Sequence, residues 1–76
     1  MEEQVRTILA ETLETTPDEI TPDKRLVADL GLTSFDLADV VVQAREEFGV
    51  TIPSERWTEI VTVADVCRVI REEMGA

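Results

Sequence analysis

Asp29-Leu30-Gly31-Leu32-Thr33-Ser34-Phe35-Asp36-Leu37 is the stretch on which the fold turns. Thr33 followed three residues later by Asp36 is an Asp version of the capping box, in which each side chain accepts a hydrogen bond from the other residue's backbone N–H. Leu32 and Leu37 flank it as a hydrophobic staple, so a helix is expected to begin here. Downstream, Leu37, Val40, Val41, Ala44 and Phe48 fall on one helical face, and Gly49 tolerates the left-handed conformation of a helix end. Val40, Val41 and Val42 are β-branched, so packing has to override propensity within this helix. Upstream, Pro17, Pro22 and Gly31 argue against continuous helix. Ile20, Leu26, Leu30 and Leu32 are nevertheless spaced through the polar residues, the pattern of an ordered loop anchored to a core.

Working outward, Val5, Ile8, Leu9 and Leu13 set the buried stripe of a first helix that should end near Thr15 and Thr16, because Pro17 disfavours helix in the residue before it. After Ile52-Pro53, Ser54 can cap a short helix bearing Trp57 and Ile60. Thr62 and Asp65 then repeat the capping-box spacing before Val63, Val66, Cys67, Ile70 and Met74. The expected fold is all-α: a small four-helix bundle, three main helices and a short one, with a long ordered loop between the first and second. Residues 1–76 read as one domain, with Val5, Ile8, Leu9, Leu13, Leu26, Leu30, Leu37, Val41, Phe48, Ile60, Val63, Val66 and Ile70 inside.

Asp and Glu number 17 against 7 Lys and Arg, a formal net charge of -10. Nucleic acid is bound by clustered cations, which are missing here, so basic protein surfaces are the better-matched partners. The absence of histidine removes Ser/His and Cys/His nucleophile pairs and the usual zinc sets. No EF-hand spacing is present, so no metal site and no catalytic residue is assigned. The single Cys67 excludes an internal disulfide, favours a reducing compartment and falls on the apolar stripe of the last helix as a core residue. Met1-Glu2-Glu3-Gln4 is acidic where a secretion signal is basic, and no apolar run reaches the roughly 18 residues of a membrane span. A cytoplasmic monomer is the expectation.

The Asp29–Leu37 stretch resembles the phosphopantetheine attachment motif of acyl carrier proteins, commonly Asp-Leu-Gly-x-Asp-Ser-Leu-Asp. The resemblance extends to the order of helices and to Glu46-Glu47-Phe48-Gly49-Val50 and Ile52-Pro53 before Thr62-Val63. It implies that Ser34 is the modified serine, bearing a covalent 4'-phosphopantetheine arm that holds acyl groups as thioesters, in fatty acid, polyketide or related biosynthesis. Such a protein is a carrier and not an enzyme. Ser34 in the first helical turn suits this role, since free backbone N–H groups and the positive dipole end favour an adjacent phosphate. Capping alone would account for Thr33 and Ser34, but not for the Gly31 turn and the apolar anchors before it.

Thr33 stands where the family usually has Asp, Phe35 where it usually has Leu, and Arg45 where an acid is often found. The Ser34-Phe35 pair also resembles some D-alanyl carrier proteins, which keeps an aminoacyl or peptidyl carrier open beside the acyl carrier. An acidic helical adaptor without a prosthetic group is the remaining alternative. The resemblance further implies a phosphopantetheinyl transferase and an acyl-activating ligase or synthase as partners, docking through basic patches. Phe35, Asp39, Val42 and Glu46, with Asp36 beside them, form the matching stripe opposite the core face at about 100° per residue. An ordinary solvent face with two tolerated apolar residues is the other reading of that stripe.

Overall fold

The computed structural model describes residues 1–75. Three α-helices, α1 (Glu2–Thr12), α2 (Ser34–Phe48) and α3 (Val63–Gly75), are joined by connections that contain two 3-10 segments, Pro17–Glu19 and Ser54–Glu59. The expected all-α bundle with a long ordered loop is what forms, and its short helix is the second 3-10 segment. Ser54 is the first residue of that segment, whereas Pro53 occupies the cap position, so the capping role expected of Ser54 is not realised. α1 packs against α2, α3 and the first 3-10 segment, which makes it the hub of the bundle.

α1 ends earlier than Thr15. Its last turn closes as a Schellman motif, in which the Glu14 N–H donates to the Glu11 carbonyl and the Thr15 N–H to the Ala10 carbonyl at 2.8 Å. Glu14 supplies the left-handed residue at φ 56°, a position usually given to glycine. That choice hid the helix end from a reading based on Pro17. Arg6 then ties the loop back to α1, donating from Nε to the Ile20 carbonyl at 2.9 Å and from its terminal nitrogen to the Pro17 carbonyl at 3.0 Å.

The loop is ordered by burial and by backbone pairing. Ile20, Leu26 and Leu32 are buried as deeply as the helical core residues Val5, Leu9, Val63 and Ile70. The Leu26 N–H donates to the Val61 carbonyl, and the Val63 and Ala64 N–H groups donate to the carbonyls of Lys24 and Pro22. A single antiparallel bridge between Arg25 and Thr62 results, linking the loop to the start of α3.

Five residues expected inside, Leu13, Leu30, Leu37, Val41 and Phe48, are only partly buried and pack around the rim of the core. For α2 the reason is phase: its fully buried residues are Val40 and Ala44, so Leu37, Val41 and Phe48 occupy one shoulder of the buried face. Val50 and Ile52 follow α2 into the core, and Ala10 and Val69 fill it beside Cys67. Met74 was expected on the α3 core stripe, yet it lies one turn past the last buried residue, Ile70, and is largely exposed.

Relieving the left-handed strain at Glu14 should stabilise the fold. Glu14→Gly is expected to raise the unfolding free energy by about 0.5–1 kcal/mol, the strain removed less the added freedom of the unfolded chain. Glu14→Gln removes the same charge but keeps the Cβ, and should change stability by less than about 0.5 kcal/mol. Urea denaturation of the two variants checks this; equal effects would trace any gain to charge.

Candidate functional site

The path to Ser34 begins at Arg25. Its N–H donates to Asp29 Oδ2 at 2.8 Å, and its guanidinium lies 3.5 Å from the same oxygen. The backbone hydrogen bond is the main reason that the Asp29 carboxyl is held below the usual carboxylate range. The Asp29 and Leu30 N–H groups both donate to the Arg25 carbonyl, coiling the chain into a turn that Gly31 closes at φ 70°. No atom lies near the position a Cβ would take on Gly31, so glycine serves backbone conformation there and not space. The Leu32 N–H then donates to the Leu26 carbonyl at 2.8 Å, which delivers the chain to the start of α2 beside a buried anchor.

The capping box forms as the sequence indicates. Thr33 Oγ1 accepts from the Asp36 N–H at 3.2 Å, and Asp36 Oδ2 accepts from the Thr33 N–H at 3.1 Å. Thr33 is extended and Ser34 is the first helical residue, exposed to solvent. Among the described residues the backbone N–H groups of Ser34 and Phe35 have no protein acceptor, and the Ser34 hydroxyl makes no hydrogen bond. An exposed hydroxyl beside free donors at the positive end of a 15-residue helix suits a phosphodiester. No His stands near it to activate the oxygen, since the chain has none.

The residues of the expected docking stripe divide. Phe35 is 87% exposed and Val42 51%, both far more open than the core face of α2. Asp39 and Glu46 are also exposed, although Asp39 Oδ2 accepts a hydrogen bond from Gln43 Nε2 at 3.1 Å. The same Gln43 nitrogen donates to Thr12 Oγ1 of α1, so Asp39 helps to orient a link between two helices. Glu46 borders an open groove between α1 and α2 with Glu3, Glu11, Gln43 and Glu47. Asp36 is half-buried and its carboxylate is occupied by the cap, which separates it from the other four.

Sequence patterning missed Arg6 and Arg56, both of which fasten one segment to another. Arg6 lay off the apolar stripe of α1 and gave no local signal. Glu59 three residues after Arg56 was the one visible clue to that cluster. Among the described residues no group of three or more His, Cys, Asp or Glu is arranged to hold a metal ion, and no helix is long and apolar enough to cross a membrane.

The family described as "Phosphopantetheine attachment site" matches residues 3–70. The acyl carrier protein of Helicobacter pylori strain G27 is 36% identical over 70 residues, covering 92% of this chain and 90% of the relative. That of Phenylobacterium zucineum strain HLK1 is 36% identical over 74 residues, covering 97% and 94%.

Thr33 should be replaceable by another capping residue and by little else. Thr33→Ala is expected to cost about 1 kcal/mol, and Thr33→Asp to stay within about 0.3 kcal/mol of the parent. Urea denaturation reads both, and a Thr33→Ala protein as stable as the parent would show that the box contributes nothing to the start of α2.

Proposed function

Because the chain belongs to the acyl carrier protein family and bears a covalent 4'-phosphopantetheine, we propose that Ser34 is the attachment residue and that the protein is a single-domain, non-catalytic carrier of acyl intermediates. The observation that supports this best is the exposed Ser34, one residue past a closed capping box, with its own N–H and that of Phe35 free. When bound, the arm supplies a thiol on which acyl groups are held as thioesters. The residues of the chain do the rest. The Thr33–Asp36 box fixes the first turn, Gly31 and the buried Leu32 set its approach, and the free N–H groups offset the phosphate charge by about 0.3–1 kcal/mol.

Fatty acid synthesis is the pathway we favour, with polyketide or related biosynthesis using the same chemistry. Cargo and arm chemistry are then supplied by partners: a phosphopantetheinyl transferase and the ligases or synthases that load and extend the acyl group. Phe35, Asp39, Val42 and Glu46 form the surface we assign to them, apolar contact amid negative charge, with a cytoplasmic monomer as the working state. A partner with a basic patch would be drawn by the field of a chain with net charge -10, chiefly through a faster association rate.

Intact mass spectrometry after co-expression with a phosphopantetheinyl transferase tests the assignment. The parent should gain one phosphopantetheinyl unit and Ser34→Ala none, while both melt alike. A gain that survives Ser34→Ala would move the attachment to another residue.

A further inference from the structure

The Ser54–Glu59 segment is held in place unlike the three α-helices. None of its six residues is buried, and its apolar anchors, Ile52 and Ile60, lie just outside it. Trp57 is half-buried and packs against the rim of the core, and its Nε1 donates to the Ile52 carbonyl at 3.3 Å, a contact within the same connection. Polar contact with α3 runs through Glu59, which Arg68 approaches, and more extensively through Arg56. Its Nε and one terminal nitrogen fork onto the Glu59 carboxylate at 3.0 Å each, and its other terminal nitrogen reaches Glu73 Oε2 of α3 at 2.9 Å. Glu72 of α3 completes the set.

Arg68 of α3 lies beside this group, 3.5 Å from Glu59, 3.4 Å from Glu72 and 3.6 Å from Asp65. Two cations thus serve four carboxylates, and Arg56 is the one that comes from the segment. Without it, Arg68 alone would offset the repulsion of Glu59 by Glu72 and Glu73 across the contact, and the attraction that fastens the segment would be weakened. The Arg56 side chain is only 20% exposed, so solvent screens these bonds less than it would an open surface pair.

We propose that Arg56 is an electrostatic latch that fastens the Ser54–Glu59 segment to α3, so that opening the latch releases this segment as a unit while α1, α2 and α3 stay folded. The hydrogen bonds to Glu59, Glu72 and Glu73 also hold the Arg56 guanidinium above its ordinary pKa, so it stays charged across the accessible range, and the latch opens through a competing ion, a substitution or acid that protonates its carboxylate partners. The released segment would uncover the edge of the core at Ile52 and Ile60.

Trp57 is the only tryptophan and sits within the segment, so it reports the release directly. In Arg56→Gln its emission should shift to the red, and the Arg56 and Ile60 amides, bonded to the Pro53 and Trp57 carbonyls, should exchange roughly threefold to tenfold faster. Amides in α1 and α2 should keep their rates. Arg56→Lys, which keeps the charge but not the fork, should fall between. Emission and exchange matching the parent, or acceleration of α1 and α2 amides by the same factor, would overturn the proposal. If Arg56→Gln does not fold, raising salt on the parent decides: a red shift of Trp57 before any loss of helical circular dichroism supports the latch, and simultaneous loss overturns it.

Discussion

The backbone pairing between Leu26 and Val61 is the constraint on which the position of Ser34 depends. Asp65 closes a capping box with Thr62, and its Oδ2 also accepts from the Val61 N–H, which fixes the Val61–Val63 strip at the head of α3. Leu26 is bonded to that strip and buried against the core. Its carbonyl then receives the Leu32 N–H, and Leu32 is the residue before the cap of α2. The two capping boxes, Thr62–Asp65 and Thr33–Asp36, are therefore joined through one leucine. The serine proposed as the attachment residue is thus held by a scaffold even though it lies at the end of a long loop.

Acidic side chains divide into those that build the fold and those that project the field. Asp36 and Asp65 cap helices, Asp29 coils the loop, and Glu59, Glu72 and Glu73 bind Arg56. Backbone N–H donors at Thr62 and Arg25 hold the Asp65 and Asp29 carboxyls below the usual range, as Arg56 does for Glu59 and Glu72. Lowered folded-state values mean that these groups add stability above the ordinary carboxylate range and lose it as pH falls through the lowered values. Glu2, Glu3, Glu46 and Glu47 are exposed and take no such part, and their charge adds to the negative field of the surface.

Much of this was legible because it is local. Both capping boxes span four residues, Gly49 ends α2 with φ 70°, and the Asp29–Leu37 stretch could be matched to a family motif directly. What escaped the reading depends on distance or on an unusual choice. The burial of Ile20, Leu26 and Leu32 was suggested by spacing, but the bridge from Arg25 to Thr62 joins residues far apart in sequence. Glu14 occupies a glycine conformation without being glycine. The core phase of α2 is set by α1, so Val40 is buried and Val41 only partly so. Arg56 finds Glu72 and Glu73 sixteen and seventeen residues away, beyond the reach of any helical pattern.

Native-state hydrogen exchange at the amides of Leu26, Leu32 and Val63 tests the central claim most directly, because those three bonds carry the position of α3 to Ser34. Protection at all three should be comparable to that of the buried helical residues Leu9 and Val66, with exchange only through global opening. Exchange at the rate of an open loop, while Leu9 and Val66 stay protected, would contradict it and leave Ser34 on a tether in place of a platform.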